Sequence, residues 1–159
     1  MLLSVTGVAG YLAYVATRTG SLTGWFTVQS TGWDGSFDGG ATTLNYLGNV
    51  LGGHATTTYD LVTALTLIGV LVLLGLCVAM RVPWPLFAYA AATVATVWLS
   101  SGVMNSKVRL LMTAFVLLLP VALGLARRRP ATAVAVVGAA SIASAWFGGY
   151  ALTVWQYAI

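Results

Sequence analysis

The sequence contains no glutamate, one cysteine (Cys77), one histidine (His54) and only three acids, Asp34, Asp38 and Asp60, against seven bases. A single thiol and a single imidazole exclude a disulfide framework, a thiolate zinc site and a multi-histidine metal centre. Charged residues make up 6% of the 159 positions and hydrophobic ones 59%, with a mean hydropathy of +0.92. A soluble domain carries roughly a quarter of its residues as Asp, Glu, Lys and Arg. So little polar surface makes lipid the solvent. The bases, Arg18, Arg81, Lys107, Arg109, Arg127, Arg128 and Arg129, fall in short clusters separated by uncharged gaps. That pattern offers no face for nucleic acid and fits the ends of membrane-spanning segments. Any chemistry must come from Asp, Arg, Lys, hydroxyls or backbone; no cofactor and no metal is expected.

What fills the gaps is long apolar sequence. A hydrocarbon core about 30 Å thick takes about 20 apolar residues in a helix. Windows of this kind run over 1–17, 61–80, 84–101, 110–126 and 131–158, none with a charge. Helix is required because a lone span in lipid must satisfy its own backbone. The expected fold is all-α: a single polytopic membrane domain over 1–159, with about five transmembrane helices and an extracytoplasmic interfacial loop over 18–59. Thr56, Thr57 and Thr58 supply N-cap candidates for the second span, and Asp60 falls in its first turn, where the helix dipole favours a carboxylate. Trp84, Trp155 and Tyr157 near window ends fit the interface.

Arg81 and the 127–129 triplet fall on one side of such a bundle, and Arg18, Lys107 and Arg109 on the other. The triplet, hard against two spans, is placed in the cytoplasm, which puts the N-terminus inside and the C-terminus and the 18–59 loop outside. The first window lacks the basic start of a secretory signal. Its abrupt apolar beginning reads as a cut, so the chain is expected to be the C-terminal piece of a longer membrane protein.

The 18–59 segment combines glycines and Asp-Gly turn signals with Trp25, Phe26, Trp33 and Phe37, aromatics that favour the membrane surface over water. Leu44, Leu47, Val50 and Leu51 stand at helical spacing, which predicts a short interfacial helix over 41–51. The runs GWFTVQ from Gly24, GWDGSFDGG from Gly32, GVMNSKVRLL from Gly102, Phe115 to Pro120 and AWFGGY from Ala145 together resemble the C-terminal part of actinobacterial integral membrane proteins similar to the PIG-V-like mannosyltransferases of the GT-C superfamily. The resemblance spans essentially the whole chain. It implies transfer of mannose from a polyprenyl-phosphate donor to an extracytoplasmic acceptor, with the essential acid in an N-terminal loop that has no counterpart here. Relatives tend to carry prolines in the fourth span where this chain has Thr113 and Val116, keeping only Pro120; a less kinked helix is the expectation.

Asp34 and Asp38 are the candidate catalytic pair, as general bases near an acceptor hydroxyl; the plainer reading is a pair of turns, since each precedes glycine. Lys107 and Arg109, with Asn105 beside them, are the candidates for the donor phosphate, because two bases on the outer face oppose the positive-inside tendency and phosphate suits both. Snorkelling to headgroups is the simpler alternative. Trp25 and Trp33 are the loop residues expected to shape the acceptor side. His54 and Cys77 carry no expected chemistry, and the small residues of the last span fit close approach of partner helices. A non-catalytic scaffold and a small transporter are the rival functions, the latter disfavoured by spans without ionisable groups.

Overall fold

The computed structural model describes residues 2–33, 35–54 and 57–154. It is 81% helical and, among the described residues, has no strand, so the all-α expectation holds. Eight α-helices follow one another: α1 (Leu2–Thr19), α2 (Gly24–Trp33), α3 (Ala41–Asn49), α4 (Thr58–Ala79), α5 (Trp84–Trp98), α6 (Met104–Leu111), α7 (Leu119–Ala126) and α8 (Pro130–Thr153). A π-helical turn (Val50–His54) follows α3, and a 3₁₀ turn (Phe115–Leu118) precedes α7.

Two of these helices, α4 and α8, are long and apolar enough to cross a membrane. At 1.5 Å per residue their 22 and 24 residues extend about 33 Å and about 36 Å. The remaining expected spans differ. α1 carries Arg18 in its last turn, so its apolar run is shorter than the helix. α5 is 15 residues long, from Trp84 to Trp98. The fourth window, 110–126, is not one helix: α6 ends inside it, Met112 to Ala114 form turns, and the chain resumes through the 3₁₀ turn into α7.

That interruption corrects the expectation of a straighter fourth span. Pro120 has no N–H to give the Val116 carbonyl, and Leu119 N–H takes that carbonyl instead, at 3₁₀ spacing. The single remaining proline therefore accounts for the 3₁₀ turn, while the turns at Met112–Ala114 lie upstream of its reach. Upstream, Met112, Thr113 and Ala114 donate to Arg109, Leu110 and Leu111, and the Tyr89 hydroxyl of α5 donates to the Thr113 carbonyl at 3.1 Å. The 18–59 segment is also more helical than a loop, because α2 forms where glycines suggested turns. The helix predicted over 41–51 is present as α3.

α4 is the central element. Ala64, Leu67, Val70 and Cys77 stand three to seven positions apart and, with Thr63 beside Ala64, form its buried face. Ala90, Val94 and Val97 of α5 meet them, and Leu111, Ala114, Val116 and Leu117 close the cluster from the broken segment. α8 buries none of its described residues; it leans on α7, and Phe147 stacks near Tyr59 at 5.5 Å between ring centroids.

Both ends of α4 are well specified. Thr57 is the N-cap: its hydroxyl accepts from Asp60 N–H at 3.2 Å while the Asp60 carboxylate accepts from Thr57 N–H at 3.1 Å, a reciprocal capping box. At the other end Val82 N–H reaches the Cys77 carbonyl and Arg81 N–H the Val78 carbonyl, both at 3.0 Å, the paired bonds of a Schellman motif. This motif needs a left-handed residue, and Arg81 fills it at φ 54°. An L side chain there costs about 1–2 kcal/mol. Arg81→Gly is accordingly expected to stabilise the chain by about 1 kcal/mol in detergent unfolding, after allowing for glycine's greater entropy when unfolded; a loss of stability would show that the guanidinium outweighs the strain.

A polar cluster where the 35–43 segment docks on the α5–α6 turn

The sequence that reads as a glycine-rich loop is fastened to the far side of the chain. Ser101 N–H donates to the Ser36 carbonyl at 2.7 Å, Asp38 N–H to the Leu99 carbonyl at 3.1 Å, and Ser36 N–H to the Ser101 hydroxyl at 2.8 Å. Phe37 and Ser100 thus form an isolated antiparallel bridge. Gly40, at φ 89°, lies so close that a Cβ would meet the Trp98 carbonyl at 3.3 Å. A side chain there would be strained by the left-handed backbone and would push the Trp98 carbonyl back by a few tenths of an ångström.

Asp38 organises the docked segment. Its carboxylate accepts from Gly40 N–H at 2.9 Å and Thr42 N–H at 2.8 Å, bridging the turn to the first residues of α3. The Thr42 side chain, then these backbone N–H groups, hold its pKa at about 2, below the ordinary 3.8, with the charge of Lys107 adding a little. The folded pKa is depressed, so Asp38 contributes stability that is fully present above pH 3.8 and is lost as the pH falls towards 2. Cleavage of the 35–43 segment by a broad-specificity protease is expected to rise across that window. In Asp38→Asn the rise should vanish, with the segment cleavable throughout; a wild-type profile in that variant would remove Asp38 as the cause.

Lys107, in the second turn of α6, is 2% exposed. Its ammonium donates to the Thr43 hydroxyl and to the Ser100 carbonyl, each at 2.6 Å, and Thr43, itself fully buried, donates on to the Trp98 carbonyl at 2.9 Å. Trp98 is the last residue of α5, so the cation sits at the negative end of that helix and among carbonyls left without helical partners. Burial lowers the Lys107 pKa, and the nearby Asp38 charge acts in the opposite direction. Two of the three ammonium hydrogens are committed to the protein.

A second cluster stands beside the first. The Tyr46 hydroxyl of α3 reaches the Asp60 carbonyl at 3.1 Å and its carboxylate at 3.3 Å, and burial, then the Asp60 charge, push the tyrosine up to about 12. Trp98 Nε1 is buried with no hydrogen-bond partner among the described residues.

The expected site residues distribute unevenly over this geometry. Asp38 and Lys107 are brought into one cluster. Arg109 is exposed, with no partner among the described residues. Trp25 is half-buried, set edge-on to Phe26 at 5.0 Å in α2, which packs against α1 and meets the docked segment through the Gly35 N–H, which donates to the Gln29 carbonyl at 3.3 Å. Asp34, like Thr56, Trp155 and Tyr157, lies outside the described residues, as do the side chains of Trp33 and Asn105. Thr43, Ser36 and Ser101 join the site without having been singled out in the sequence. No group of three or more His, Cys, Asp or Glu side chains that could hold a metal occurs among the described residues. Comparison with protein-family models, curated proteins and solved structures finds no match to this chain.

Proposed function

We propose that the chain is the C-terminal, donor-lipid-facing part of a membrane glycosyltransferase that moves mannose from a polyprenyl-phosphate donor to an extracytoplasmic acceptor, and that it is inactive alone. In this reading α1, α4, α5, the broken 110–126 segment and α8 are five crossings of the cell membrane. The arginine triplet is cytoplasmic; Asp38, Asp60, Lys107 and Arg109 gather outside. The observation that supports it most is the exposed guanidinium of Arg109, with no side-chain partner among the described residues, two residues after the buried lysine that holds the docked 35–43 segment. A phosphate at that level has Arg109 as its fork-like donor, while Lys107 contributes charge from behind and holds the segment in place. Asp38, already saturated by N–H donors, serves the shape of the site better than proton transfer.

Titration of the purified chain with polyprenyl-phosphate mannose is expected to show binding that Arg109→Gln weakens about tenfold, the scale of one charge-assisted contact. Equal affinity of variant and wild type would take Arg109 out of the site. A non-catalytic scaffold is the second reading, favoured by α8, whose bare surface suits packing against partner helices. Saturable binding of the mannose donor, absent for polyprenol without phosphate, separates the two.

A further inference from the structure

The charges are divided between the two ends of the bundle. Asp38 and Asp60, the described acids, lie where α3, the start of α4 and the end of α5 come together. The Tyr59–Phe147 contact sets the first turn of α4 beside the late part of α8, and α7 packs against both helices. From that contact α4 runs 22 residues to Arg81, and α8 runs back 18 residues to Arg129, about 33 Å and about 27 Å along their axes. Arg81, Arg127, Arg128 and Arg129 therefore finish at the same end. All four are exposed, and none has a side-chain hydrogen bond or ion pair among the described residues.

Nothing described at that end offsets these charges. α8 begins there without a side-chain cap, so its free N–H groups and the positive end of its dipole add to them. Trp84, 79% exposed in the first turn of α5, stands at the same end, where an indole marks the headgroup level. Guanidiniums match phosphodiester oxygens in pairs, and a bilayer supplies those oxygens at this depth.

We propose that the Arg81 and Arg127–Arg129 end is a binding surface for the phosphodiester headgroups of anionic phospholipids, which the chain gathers around itself in preference to zwitterionic ones. The surface rests on the membrane-spanning part of the reading above and on nothing about sugar transfer. The test uses the full chain reconstituted in phosphatidylcholine vesicles carrying a trace of spin-labelled phosphatidylglycerol or spin-labelled phosphatidylcholine. Phosphatidylglycerol is expected to be held at the protein at least about fivefold more strongly, falling with added salt. In the Arg127→Gln, Arg128→Gln, Arg129→Gln variant the preference should drop towards parity, while Lys107→Gln, at the other end, should leave it intact in whatever fraction remains folded. Parity in the wild-type chain, or an undiminished preference in the triple variant, overturns the proposal. If alkaline carbonate strips the wild-type chain from the vesicles, the spanning reading falls and takes the surface with it; an integral chain at parity removes the surface alone.

Discussion

Lys107→Met is expected to destabilise the chain by about 3 kcal/mol and to free the 35–43 segment, measured together as denaturant unfolding in detergent and protease susceptibility. Methionine fills much of the volume of the lysine stem but supplies no donor. The Ser100 carbonyl, partly buried, then loses its partner, the end of α5 loses its cation, and Thr43 keeps only its bond to Trp98. Each loss is a buried polar effect, for which removal of one partner costs more than the bond contributed. Thr43→Val removes the other half of the contact. The two substitutions should be strongly non-additive, because the second finds the bond already gone. Additive effects would mean that the lysine acts through charge alone. Unchanged stability in Lys107→Met would show that the ammonium is not what fastens the segment.

Tyr89→Phe should cost about 2 kcal/mol, with the effect concentrated at the break in the fourth segment. The hydroxyl is the partner given to the Thr113 carbonyl, and on the proposed reading of α5 and the 110–126 segment as membrane crossings no water replaces it. Hydrogen exchange of the amides between 110 and 118 is expected to accelerate, while those in the middle of α4 stay protected. Equal exchange throughout would place the support of the break elsewhere, in the Thr113 hydroxyl that bonds the Leu110 carbonyl at 2.7 Å.

The parts of this fold that show in the sequence are those fixed by short-range rules. α4 begins at the threonine run and carries Asp60 where the dipole wants it; α8 opens on Pro130; α3 follows the spacing of its leucines. The parts that do not show depend on distant partners. α2 forms through Gly24 and Gly32, which weigh locally against a helix, and packs on α1. The break at Met112–Ala114 lies in a uniformly apolar run where hydropathy has no contrast to offer. Lys107 reads as an outward-facing base because the Thr43 hydroxyl that draws it inward is 64 positions away. A local signal did exist, since α5 ends in carbonyls that need donors and a lysine follows seven residues after Ser100.

Cys77 fills the α4 face and is fully buried there. It is also the single thiol of the chain. A thiolate must form and be reached before it can be alkylated, and this one is sealed among side chains. The native chain is therefore expected to be silent to membrane-impermeant maleimides, and on the proposed topology a cysteine introduced beside Arg128 or at Ser36 reports its own side of the bilayer with no background to subtract.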